Sequence, residues 1–444
     1  MHWLRLAGLA SLAVSAVYGG AVVARPTVFA DLANRARGLP PEFAAEALLR
    51  IADGAPTADV AWKREVLEDA FHLAANAQQP FPRRNWTGKP GTLFDRAYAQ
   101  GLDAATLQSK AIHAMLAIDY KKARELFGEI PAPLLARLTC EDTLVSDVSI
   151  FYLTVGDVAA RAFTAKEVAR EEPFRLLQRY ASDVTSPMQA APIARMLAAA
   201  SLRPPQLEAL VASFAGVLGQ LSGDDRSFSA AVAGDTDSAI SALAAQCARR
   251  KVNGQPVVDA WQGYVTRQLG ASKCADSAIL EARPSGQCDS LECRHLATQF
   301  AGLVMAPNGY GLTTEQKQTS EWGAKFLQYL ADLADWTQAD DPVEYFQYKG
   351  RFYSELFNLT PNGPGRDLVL STLLGWLQQN GYQRDHRVEW FYPVNALIVQ
   401  AFGDAAGMKT TVRELRRSTD PVISLYTQLE QLLPRPVGGT LGLL

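Results

Sequence analysis

The stretch that decides the fold class is residues 58–77, ADVAWKREVLEDAFHLAANA. Apolar side chains recur in it at intervals of three or four residues, namely Trp62, Val66, Ala70, Phe71 and Ala74. An α-helix turns once in about 3.6 residues, so this spacing places these side chains on one face. We therefore predict an amphipathic helix here, with one buried face and one face in water.

The same helical period recurs along the rest of the chain, for example in residues 107–118 and 296–304. Four stretches also place a capping oxygen three residues before Glu or Gln, a pattern typical of helix starts: Thr164 to Glu167, Ser186 to Gln189, Asp289 to Glu292 and Asp341 to Glu344. Alanine, the strongest helix former, is abundant, whereas the alternation expected of strands is scarce. The sequence therefore predicts an all-α protein.

The breaks between the predicted helices are short and contain proline or glycine, for example at 53–57, 201–205 and 360–366. Short connections between amphipathic helices favour antiparallel neighbours. We therefore predict stacked antiparallel helical hairpins that form an irregular α-solenoid or α-α superhelix. A compact multi-helix bundle is the alternative arrangement of the same helices.

Within residues 114–131, AMLAIDYKKARELFGEIP, Ala123 and Phe127 stand four residues apart and Pro131 closes the stretch. This pattern resembles the second half of a tetratricopeptide repeat, a family in which the Ala packs against the preceding helix and the Phe fills the gap between repeats. The aromatic and glycine residues of the repeat's first helix are missing around 107–114, and the chain has no 34-residue period. The resemblance covers under a tenth of the chain and implies stacked helical hairpins.

The first 24 residues have the composition of a secretory leader. Arg5 is followed by an uncharged run from Leu6 to Ala24 that ends in small residues, as in a signal peptide before its cleavage site. An uncleaved N-terminal anchor is the alternative, since the run approaches the roughly 20 residues that span a bilayer. Both interpretations predict an exported protein, periplasmic or extracellular, that contacts a membrane only if residues 1–24 remain as an anchor.

The chain has five cysteines, Cys140, Cys247, Cys274, Cys288 and Cys293. An oxidising compartment permits disulfides, and an odd number leaves one thiol without a partner in the chain. Because three of the cysteines fall within 20 residues, spacing favours a local bridge from Cys274 to Cys288 or to Cys293. Cys140–Cys247 is the long-range candidate.

The same cysteines offer an alternative set of metal ligands. Cys274, Cys288, Cys293 and His295 together supply enough sulfur and nitrogen donors for one zinc ion. On a helical wheel, however, Cys293 and His295 point to nearly opposite sides, which disfavours shared ligation. We therefore favour disulfides over a metal site in this stretch.

Composition divides the chain into five regions. They are a leader at 1–24, an Ala-rich helical region at 25–267, a cysteine-containing loop at 268–289, an aromatic-rich helical region at 290–436 and a flexible tail at 437–444. The aromatic region holds side chains that suit either a buried core or a ring-lined binding groove: Trp322, Trp336, Tyr345, Tyr348, Tyr353, Trp376 and Trp390.

Charge and motifs limit the classes of function. With 43 Lys+Arg against 46 Asp+Glu, the chain lacks the excess of cations that nucleic-acid binding requires, so we expect no nucleic-acid partner. The sequence contains no HExxH, GxSxG, P-loop or GxGxxG pattern, and we therefore assign no catalytic residue and no cofactor.

The sequence favours an exported, non-enzymatic protein that binds a protein or polymer partner. One alternative is an extracytoplasmic enzyme that acts on carbohydrate or peptidoglycan, since helical superhelices also carry such chemistry. Another is a metal-binding protein that uses the Cys/His cluster.

Overall fold

The computed structural model describes residues 27–56, 59–85, 96–142, 144–269, 274, 288, 290–305, 311–313, 315–337, 342–361, 363–381, 385–403 and 409–434. The predicted leader at 1–24, the predicted tail at 437–444 and most of the predicted loop at 268–289 lie outside these residues.

Twenty α-helices account for most of the described residues, and the predicted all-α class is confirmed. The helices are α1 Thr27–Ala36, α2 Pro41–Gly54, α3 Val60–Ala74, α4 Ala104–Ile118, α5 Tyr120–Glu129, α6 Ser149–Arg161, α7 Ala165–Ala169, α8 Glu172–Ser182, α9 Ala190–Ala199, α10 Pro204–Gln220, α11 Asp225–Ala233, α12 Thr236–Arg249, α13 Gln255–Leu269, α14 Leu291–Val304, α15 Ser320–Asp335, α16 Pro342–Leu359, α17 Pro364–Gln379, α18 Arg387–Gly403, α19 Lys409–Arg417 and α20 Pro421–Leu432.

Short elements complete the described structure. Two three-residue strands, β1 (Arg83–Asn85) and β2 (Leu144–Ser146), pair antiparallel. Three short 3₁₀ helices lie at Tyr98–Gln100, Pro187–Gln189 and Gln316–Gln318. The strands are too short to form a core of their own, so packing between helices carries the fold.

Several helices begin with a side-chain cap at the position that the sequence pattern predicts. Thr164 forms a reciprocal capping box with Glu167 at the start of α7, and Ser186 does the same with Gln189 before α9. The cap of α14 lies one residue later than predicted, because the Ser290 hydroxyl accepts from the backbone N–H of Cys293. The predicted caps at Asp289 and Asp341 lie outside the described residues.

The apolar face that the opening stretch predicts is buried as expected. In α3, Trp62, Val66 and Phe71 are each at most 3% exposed, and this face packs between α2 and α4. Further along the chain, α9 packs on α12 and α10 packs on α13. Packed helix pairs are therefore the building unit, whereas the solenoid order predicted for them stays a prediction.

The first and last described helices also pack together. Phe43 of α2 contacts the rings of Trp390, Phe391 and Tyr426, and α20 lies against α1 and α2. Buried residues form one continuous apolar cluster that extends from α1 to α20. The Ala-rich and aromatic-rich regions therefore share a core.

None of the helices in the described part of the chain combines the length and the apolar character that crossing a bilayer requires.

Candidate functional site

The structure pairs four of the five cysteines, but not in the pairs that sequence spacing favours. Cys140 bonds to Cys274 across 134 residues, and Cys288 bonds to Cys293. Cys247 is a free thiol, fully buried in the core on α12. The predicted pairs Cys274–Cys288, Cys274–Cys293 and Cys140–Cys247 are therefore wrong.

Helix packing explains this difference. Cys247 points into the apolar interior, whereas Cys140 lies in the irregular segment after α5 and remains half-buried. The first turn of α14 brings the Cα atom of Cys293 within 5.3 Å of the Cα atom of Cys288. Cys288 and Cys293 are only five residues apart and form a local bridge, whereas the bond from Cys140 to Cys274 depends on how distant parts of the chain pack.

The alternative metal site is not formed. The sulfurs of Cys274, Cys288 and Cys293 are bonded in disulfides and cannot act as thiolate ligands. His295 lies within hydrogen-bonding distance of Gln299 on the same helix. Nowhere in the described part of the chain do three or more His, Cys, Asp or Glu side chains form a group suited to a metal ion.

The candidate binding aromatics lie in the interior of the described structure. Six are buried and Trp322 is half-buried. Tyr345 contacts Trp336 and Trp376 edge to face, and the ring of Tyr353 stacks on Trp376. Burial, rather than an open ring-lined groove, therefore describes this part of the protein.

A lysine lies inside this aromatic cluster. The Lys349 side chain is 1% exposed, and its Nζ atom donates to the carbonyl oxygens of Ala334 at 3.2 Å and Trp336 at 2.5 Å. The same atom lies 5.2 Å from the centre of the Tyr345 ring and 5.6 Å from that of Trp376. Burial lowers the pKa of Lys349 to about 8. This ammonium satisfies carbonyls at the C-terminal end of α15, which is a structural role.

An open groove of about 700 Å³ lies between α6 and α9 and is walled by α7 and α8. We call it the main groove. Its lining consists of Ser149, Ile150, Tyr152, Leu153, Gly156, Asp157, Ala159, Ala160, Val168, Pro173, Leu177, Pro192, Arg195, Met196, Ala199, Ala200, Ser201 and Leu202. Its volume falls in the range typical of ligand-binding clefts.

The main groove is apolar and reaches the surface. Leu153 is 42% exposed and Val168 is 54% exposed, although both are large apolar side chains. Small residues keep the space open, because Gly156 has no side chain and Ala160 and Ala199 have only a methyl group. An exposed apolar concavity of this kind is typical of a binding surface.

Few polar side chains line the main groove, and three of them, those of Tyr152, Asp157 and Arg195, have partners within the protein. Asp157 Oδ2 lies 2.6 Å from Nε2 of His113. The Tyr152 hydroxyl accepts from Gln189 Nε2 at 2.8 Å, and burial raises the pKa of Tyr152. The groove therefore offers few hydrogen bonds to a ligand.

A second cavity of about 490 Å³ continues the main groove, since the two share Val168, Pro173, Ser201 and Leu202. Its other lining residues are Glu171, Phe174, Arg203, Gln206 and Arg250. We call this the Arg250 end. Arg203 forms an ion pair with Glu171, and Arg250 Nη1 donates to the carbonyl oxygen of Ala200 at 2.7 Å.

The opposite side of the main groove, which we call the Arg195 end, meets a small charged cavity. Arg195 forms an ion pair with Asp235, and Arg84 Nε lies 3.3 Å from Asp147 Oδ2. Two arginines therefore face two aspartates, and the charges balance.

Sequence reasoning missed the main groove. Its residues come from four helices and the segment that follows α9, and no motif marks them. Leu153 and Val168 are apolar residues that remain exposed, but this exposure is known only from the packing of the helices.

Comparisons with protein-family models, curated proteins and solved structures found no match to this chain.

Proposed function

We propose that this protein is an exported, non-enzymatic binding protein whose main groove receives an apolar face of a partner polypeptide. The observation that carries the proposal is the open groove of about 700 Å³, with exposed Leu153 and Val168 at its surface. Covering these side chains removes apolar surface from water, which favours binding by about 25 cal/mol for each Å² buried. Disulfides of the kind seen here are typical of an oxidising, extracytoplasmic compartment, which supports the export part of the proposal.

An α-helix suits this groove better than an extended strand. A bound strand needs partners for its backbone N–H and C=O groups, usually from the edge of a sheet. Neither β1 nor β2 lines the main groove, and its polar side chains Tyr152 and Asp157 already have partners. A helix satisfies its own backbone and presents apolar side chains at three- and four-residue spacing.

The carboxylates around the groove are engaged in ways that favour binding over hydrolysis. A glycosidase requires two carboxyl groups facing each other across the bound sugar. Here Asp157 lies against His113, whereas Glu171 forms an ion pair with Arg203 at the Arg250 end. Among the described residues that line the groove, Tyr152 is the only aromatic one, and its ring is buried, so they offer no open ring of the kind that sugar binding favours.

Filling the groove tests the proposal. Ala160→Trp and Ala199→Trp each place a large ring in the main groove from an exposed alanine, so neither disturbs the core. Ala212→Trp is the matched control, since Ala212 is an exposed alanine of α10 that does not line the groove.

The probe is a displayed library of helical peptides of about 16 residues, with apolar residues at three- and four-residue spacing. Peptides enriched on the wild-type protein are labelled with fluorescein and titrated by fluorescence anisotropy. We expect both groove variants to weaken binding by about tenfold or more, and the control to bind as wild type does. Equal binding by all four proteins, or no enriched peptide, would overturn the proposal.

A further inference from the structure

We infer that the bound helix carries acidic residues in its last turn and lies with its C-terminal end at the Arg250 end of the groove. This inference rests on the function proposed above and adds the charge and the direction of the ligand.

The two ends of the groove differ in charge. The Arg250 end is lined by two arginines, Arg203 and Arg250, and by one carboxylate, Glu171, which leaves a formal charge of +1. The cavity at the Arg195 end is lined by two arginines and two aspartates, which cancel. Only the first of these ends attracts an anionic group.

Arg250 is the cation best placed to meet that group. It has no carboxylate partner among the described residues, and its hydrogen bond to the Ala200 carbonyl holds the guanidinium at the end of the groove. Arg203 is paired with Glu171, but this ion pair is exposed, with 69% of the Arg203 side chain in contact with water. Exposed pairs contribute little stability, so Arg203 can also turn toward an incoming carboxylate at small cost.

The direction of the ligand follows from helix electrostatics. The C-terminal end of an α-helix carries a partial negative charge on its unpaired carbonyl groups, and cations near that end stabilise it. Acidic side chains in the last turn disfavour an isolated helix for the same reason, but two arginines relieve that repulsion when the helix binds. The apolar face of the ligand then lies over Leu153 and Val168, and its acidic turn lies at Arg250.

Three versions of one selected peptide test the inference. They share the apolar face and differ only at four polar positions, two in the first turn and two in the last turn. One version has glutamates in the last turn and glutamines in the first, the second has the reverse, and the third has glutamines at all four positions. We expect the version with glutamates in the last turn to bind about tenfold more tightly than the other two, and this advantage to shrink as salt is added.

Protein variants identify the responsible cation. Arg250→Glu should remove the advantage, and Arg250→Lys should keep most of it because the charge remains. Arg249→Glu is the matched control, since it makes the same change in charge at an exposed neighbour that bonds to Gln246 and does not line the groove. Arg203→Glu, at an exposed position that has no role in the core, gives a second measurement if Arg250→Glu fails to fold.

The outcomes separate the two proposals. If the three peptides bind equally and Ala160→Trp weakens all of them, the inference about charge is wrong and the groove function stands. An advantage that survives Arg250→Glu and Arg203→Glu also overturns the inference. If no peptide binding depends on the groove, both proposals fail.

Discussion

The buried Lys349 predicts a pH dependence of stability that one substitution should remove. Its ammonium is enclosed by aromatic rings, and burial lowers its pKa from 10.5 to about 8. Between these two values the unfolded chain holds a proton on this lysine that the folded chain has released. The free energy of unfolding therefore rises with pH across this window.

The size of the effect follows from the two pKa values. Each pH unit between them is worth about 1.4 kcal/mol, so Lys349 adds about 3 kcal/mol to the free energy of unfolding between pH 8 and pH 10.5. Lys349→Met fills a similar space without a titrating group. The variant also loses the two hydrogen bonds to the carbonyls of Ala334 and Trp336, at a cost of about 1 kcal/mol each at any pH.

Urea denaturation of wild type and Lys349→Met, measured at several values from pH 7 to pH 10.5, provides the assay. Contributions of groups distant from Lys349 are the same in both proteins and cancel in the difference between their free energies of unfolding. We expect this difference to change by about 3 kcal/mol in favour of wild type as the pH rises. Lys325→Met is the control, because Lys325 is 60% exposed on α15 and lies outside the buried aromatic cluster. Parallel curves for wild type and Lys349→Met would refute the reasoning.

Two further predictions concern other buried groups. Burial raises the pKa of Asp103, the N-cap of α4, to about 6 from 3.8, so folding takes up a proton in this range. The contribution of Asp103 to the free energy of unfolding should therefore fall by about 3 kcal/mol from pH 4 to pH 6 relative to Asp103→Asn. Asp103→Asn keeps a capping oxygen and should lack this fall in urea denaturation. Cys140→Ser opens a loop of 134 residues and should lower the free energy of unfolding by about 5 kcal/mol, against about 2 kcal/mol for Cys288→Ser, which opens the short Cys288–Cys293 loop. Similar losses for the two serine variants would contradict this loop-length account.

Local patterns in the sequence predict local structure because the forces involved act over a few residues. The spacing of Trp62, Val66 and Phe71 predicts a buried helical face, and the capping pattern at Thr164 predicts the start of α7. Both depend on neighbours within one or two turns, and the structure contains both.

Long-range pairing is a different problem. Cys140 and Cys274 are 134 positions apart and come together because the helices between them pack in one way, and nothing near either cysteine encodes that packing. The aromatic residues of the C-terminal region show the same limit, since a run of rings fits both a core and a groove until the packing of neighbouring helices is known. Only the structure distinguishes these cases.

The main groove is harder still to predict, because it consists of space that packing leaves unfilled. Gly156 and Ala199 look like ordinary small residues of close-packed helices, and Leu153 looks like an isolated exposed leucine. Only the packing of α6 beside α9, with α7 and α8 across one end, shows that these residues line the same groove. A concavity lined by apolar groups that the fold itself does not cover gains stability only when something else covers them. The apolar side chains that line the groove are unfavourably exposed to water in the unbound protein. A partner that covers them removes this unfavourable exposure, which is the physical reason to connect the groove with a partner.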